Sequence, residues 1–142
     1  MQEVIEAVKV AAMRKFEDYA HKTEKSIPVF KQVGMQMILF AKEEPQLYQL
    51  IFMSADNNAE NFNDIYGHLG SVADECLEVL QRGYNLNFKN AQKLFRQIWI
   101  HTFGIGALCA SGVCNFSNEQ IGKMLTEDFN AMMLLIKSSE VN

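Results

Sequence analysis

The residues able to do chemistry are few and dispersed. Cys76, Cys109 and Cys114 stand in apolar or helical contexts, and only the last two are close, as C-x4-C with no second pair and no histidine at zinc spacing. A structural zinc needs four Cys or His ligands in clustered pairs, so the spacing offers no metal site. The adjacent acids Glu17-Asp18, Glu43-Glu44, Asp74-Glu75 and Glu127-Asp128 point in different directions on a helix and read as solvated faces rather than acid–base pairs. GxSxG, HExxH, a phosphate-cradling glycine loop and the Rossmann fingerprint are all missing from the sequence. Without a convergent nucleophile, base and charge stabiliser, no enzyme, catalytic residue or cofactor is expected. His101 is the one polar titratable group set within apolar sequence, where a buried imidazole must find a hydrogen-bond partner or lose its charge. Trp99 and Phe103, one turn apart on the other side of the same helix, suit a core or the wall of an apolar pocket.

These residues sit in a stretch with no formally charged side chain between Gln97 and Asn118. Its middle, Ile98 to Ala110, reads as a helix apolar on every face, which must be enclosed by other elements or a second subunit. Interruptions by His101, Thr102, Gly104, Gly106, Ser111 and Gly112 argue against a membrane span of roughly 20 apolar residues. The chain has 142 residues, 49% apolar and 21% charged, which suits a single ordered domain over residues 1–142. A net charge of −4 with 13 scattered basic residues argues against direct DNA contact. Three cysteines and no signal peptide lead to the expectation of reduced thiols in the cytoplasm.

Helical periodicity runs through the chain and no strand alternation competes with it. Ile5, Val8, Ala12, Phe16 and Tyr19 mark a first helix over Met1 to Lys22, which begins without an N-cap signal. Pro28 opens a second, to about Lys42, and Pro45 restarts the chain into a third, Gln46 to Met53. A fourth, Ala59 to Arg82, is closed by Gly83 at the C′ position. Asn87 caps a fifth that ends at Gly112. Ser117 and Gln120 fit a capping box, with Phe116 and Ile121 as a hydrophobic staple, for a sixth from Asn118 to about Lys137. Its Ile121, Met124, Leu125, Phe129, Met132, Met133, Leu135 and Ile136 cover about half the circumference, wider than one packing partner needs. The reading is all-α with about six helices, the last two forming an antiparallel pair across the short connector Val113 to Phe116. Eight Met and ten Phe suit an adaptable interior able to hold an apolar or aromatic small molecule.

The segment from Pro28 to Met53, above all FAKEEPQLYQLIFM, resembles the second and third helices of the effector-binding domain of tetracycline-repressor (TetR) family regulators. A W-x-x-x-H-G motif is common in the penultimate helix of such domains; here Trp99 and Gly104 keep their places while Phe103 occupies the histidine position. The resemblance covers essentially the whole chain, but not the family's three-helix DNA-binding headpiece, so a fragment of a longer regulator or a naturally headless protein is expected. It implies a homodimer through a four-helix interface of the last two helices, assigned to Ile100, Leu108, Met132, Met133 and Ile136. It also implies an apolar or aromatic effector held between the first, second, fourth and fifth helices, against the large inward residues Phe16, Tyr19, Met37, Phe52, Tyr66, Trp99 and Phe103. DNA would be met only through the headpiece, and its affinity set by effector occupancy. The alternative is a headless helical module that heterodimerises with another regulator.

Overall fold

The computed structural model describes residues 2–21, 29–54, 69 and 71–141, and all of its regular elements are α-helices: α1 (Gln2–Ala20), α2 (Val29–Glu43), α3 (Pro45–Phe52), α4 (Ser71–Tyr84), α5 (Phe88–Ala110) and α6 (Asn118–Val141). Residues 59–68 of the predicted fourth helix, with Pro28, lie outside the described residues. Among those described, no helix is long and apolar enough to cross a membrane.

Local chemistry explains most of the boundaries. Glu43 closes α2, and Pro45 begins α3 after the single non-helical residue Glu44, because proline lacks the N–H that a first helical turn leaves unused. Asn87 caps α5 by accepting the Asn90 N–H at 2.8 Å. At α6 the box is reciprocal: Gln120 N–H donates to Ser117 Oγ at 3.1 Å and Ser117 N–H to Gln120 Oε1 at 2.9 Å. Phe116 and Ile121 share one apolar cluster beneath it.

Gly83 is not the C′ residue. α4 runs on to Tyr84, and Asn85 takes the left-handed turn with φ 55°. Leu86 is buried and its N–H reaches Gln81 O at 3.3 Å, a Schellman-type closure in which asparagine replaces glycine. At the end of α5 the sequence-based expectation holds in kind: Gly112 takes φ 78°, while the helix itself stops at Ala110. α6 extends beyond Lys137 to Val141.

α2 is the central element, packed on α1, α5 and α6, while α3 bridges α1 and α5. The main core gathers Phe16, Phe40, Tyr48, Leu80, Leu94 and Ile136; a smaller cluster of Ile38, Ile105, Ile121 and Leu125 fills the space between α2, α5 and α6. Along the last two helices Asn90 Nδ2 donates to Glu140 Oε1 at 2.9 Å and His101 Nδ1 lies 2.7 Å from Asp128 Oδ2. This is the contact order of neighbours running in opposite directions. α5 is not enclosed on every side by its own chain: Ile98, Trp99, Thr102 and Ile105 are buried, but Ile100 is 50% and Leu108 38% exposed.

Candidate functional site

Aromatic rings from four helices meet at the centre. Phe16 of α1 packs against Phe52 at 5.0 Å and Phe40 at 5.8 Å between ring centroids. Tyr19 adds a contact to Phe40 at 5.3 Å. Phe52 of α3 meets Trp99 of α5 at 5.7 Å, and Trp99 meets Phe103 at 6.4 Å. The separations and tilts are those of favourable edge and offset ring pairs. Five of the seven residues expected to hold an effector, Phe16, Tyr19, Phe52, Trp99 and Phe103, therefore form one aromatic network. Met37 and Trp99 line a void of about 20 Å³, room for about one water and far too little for an aromatic ring. Tyr66 lies outside the described residues.

Hydrogen bonds fix this network to the backbone. Tyr48, 1% exposed, donates its hydroxyl to Phe103 O at 3.0 Å, and burial raises its pKa. Gln49 Nε2 donates to Ala110 O at 2.9 Å, so α3 is tied to two turns of α5. Gly106 allows the approach, since a β-carbon there would stand 2.5 Å from the Tyr48 hydroxyl oxygen. Tyr19 donates to Glu43 Oε2 at 2.5 Å, which pushes its pKa up to about 12.

A larger recess lies beside the network, between α2, the end of α4, α5 and α6, with a volume of about 160 Å³. Gly34, Ile98, Leu125 and Phe129 give it apolar walls, and Lys31, Tyr84, Thr126 and Asn130 supply polar atoms. Gly34 and Ile98 also line the 20 Å³ void, so the two spaces are neighbours. A β-carbon at Gly34 would press on Leu125 Cδ1 at 3.2 Å. Comparison with protein-family models, curated proteins and solved structures finds no match to this chain. Its sites therefore rest on their own geometry. Sequence reasoning missed this recess because its walls combine two small or polar positions of α2 with a helix end and the middle of α6. Only the wide apolar stripe of α6 hinted at it.

The outward side of α5 and α6 forms a second candidate surface. Ile100, Gly104 and Leu108 on α5 and Met124 on α6 border a shallow groove of about 630 Å³, with His101 and Asp128 in it. The His101 side chain is 50% exposed and partnered by Asp128, which corrects the expectation of a buried imidazole. Of the residues assigned to a subunit interface, Ile100 and Leu108 face outward. Met132 and Met133 are partly buried against the main core. Ile136 is 1% exposed and is spent on its own chain's interior; the neighbouring outward positions are Leu134 and Leu135, 71% and 51% exposed. Cys76, Cys109 and Cys114 carry free thiols.

Proposed function

We propose that this chain is the effector-binding and dimerisation domain of a TetR-like transcription regulator, with an apolar or aromatic small molecule controlling DNA binding by the headpiece such regulators carry. One observation carries the reading: α5 serves two surfaces at once. Ile98 lines the 160 Å³ recess, whereas Ile100, about 200° further round the helix, faces outward with Leu108. A molecule that wedges into the recess displaces the same helix that would meet a second subunit. An effector then acts by favouring one of two arrangements of the helices, and its effect is limited to its differential affinity for them.

The outward side supports self-association by its chemistry. Ile100, Leu108, Leu134 and Leu135, at 38–71% exposure on α5 and α6, exceed the scattered single exposures expected of a monomer's surface. The Asp128 carboxylate on the same side is paired with His101, which lowers the cost of covering it. A thermal-shift screen of apolar and aromatic compounds tests the sensor half. At a concentration about 100 times its Kd, a bound effector stabilises the fold by about 2.7 kcal/mol, which raises the Tm measurably. A screen in which no compound moves the Tm removes the support for an effector.

A further inference from the structure

We infer that the recess between α2 and α6 selects a one-ring aromatic carboxylate, an assignment of ligand class that rests on the sensor reading above. Size sets the first limit. The recess measures about 160 Å³, and a cavity of roughly 150 Å³ lined by Leu, Ile and Phe accommodates a single benzene ring. A second fused ring would extend beyond that volume. Shape sets the second: Tyr84 and Phe129 stand at 5.0 Å with their planes tilted by 59°, presenting an angled aromatic surface on which a flat ring packs by edge or offset stacking.

The polar atoms then choose the substituent. Among the described residues the recess is lined by one formal charge, the ammonium of Lys31, and by no carboxylate. Among the described residues Lys15, Arg82 and Lys137 each have an acidic partner within 4 Å, but Lys31 has no such ion pair. Its Nζ lies beside Gly122 near the start of α6, 3.8 Å from where a β-carbon would stand. Thr126 and Asn130, one turn apart on α6, add a hydroxyl and an amide that can donate to an oxyanion. A cationic ligand would meet like charge there, and a neutral hydrocarbon would leave these donors unused. A ring in the apolar part with its carboxylate toward Lys31 satisfies both, through charge-assisted hydrogen bonds in a partly desolvated site.

Calorimetric titration of the purified chain with benzoate, and with benzyl alcohol as a neutral molecule of similar shape, tests the assignment. Benzoate binds more tightly than benzyl alcohol by about tenfold or more. Lys31→Met, which keeps the apolar stem, weakens benzoate by about tenfold and leaves benzyl alcohol unchanged, while Lys31→Arg retains benzoate binding. Thr126→Val, nearly the same shape without the hydroxyl, weakens benzoate selectively and carries the test if Lys31→Met does not fold. Equal binding of both compounds, or equal loss of both in Lys31→Met, overturns the carboxylate assignment while leaving a neutral effector possible for the sensor. Binding of neither compound overturns the assignment of this recess to single-ring ligands; the sensor reading falls separately, if the broad thermal-shift screen finds no compound at all.

Discussion

Tyr19 and Cys76 hold their protons by different means. A hydrogen bond to Glu43 pushes Tyr19 from 10.0 up to about 12, and burial pushes the Cys76 thiol from 9.0 up to about 12. Between those limits the unfolded chain has released protons that the folded chain retains, so folding stability must fall as pH rises through this range. Below the ordinary values both states are protonated and the contribution is constant. Urea denaturation between pH ~8.5 and ~11 should show a declining midpoint, and Cys76→Ala and Tyr19→Phe should each flatten the decline. An unchanged slope in both variants would contradict this assignment. Gly106 gives a steric prediction. Because its added β-carbon would lie 2.5 Å from the Tyr48 oxygen and 2.8 Å from Cζ, Gly106→Ala should cost about 1–3 kcal/mol through overpacking, read by chemical denaturation. Gly104→Ala, where nothing lies within 4 Å, should be neutral or slightly stabilising.

Helix ends separate what sequence reveals from what it hides. Ser117 and Gln120 specify their box through neighbours three residues apart, and both bonds are present in the structure. Ser117→Ala should therefore lower stability by about 1 kcal/mol, with the fraying confined to the first turn of α6 in hydrogen exchange. The end of α4 was not legible in the same way. Glycine at position 83 satisfied the local rule for a C′ residue, but burial of Leu86 sets where the chain must leave the helix, and Asn85 tolerates the left-handed turn. Tertiary packing overrode local propensity there. The apolar character of α5 was plain from its composition, yet periodicity assigns no neighbour to any face. Ile98 and Ile100 look alike in sequence; only the packing of α2 and α6 makes one a wall of the recess and the other a surface residue.

At the scale of the whole molecule, the helical class and the order of elements were legible because six periodic segments with clear breaks permit little else. The candidate site was legible in part. Phe16, Tyr19 and Trp99 are buried but join an aromatic network, and the recess opens instead beside Gly34, against which Leu125 packs closely. On α6 the apolar stripe was too wide to divide between two partners, so Ile136 was indistinguishable from Leu134 and Leu135 until its burial was seen. The proposed regulator depends most on the outward side of α5 and α6 meeting its copy. Sedimentation velocity at micromolar concentration addresses this directly, on the unchanged chain and on variants with Ile100→Glu or Leu134→Glu. Both positions are at least half exposed in the single chain, so each change should leave its fold within about 0.5 kcal/mol. The unchanged chain should sediment as a dimer and both variants as folded monomers; a monomeric unchanged chain, or variants that remain dimeric, would contradict the account.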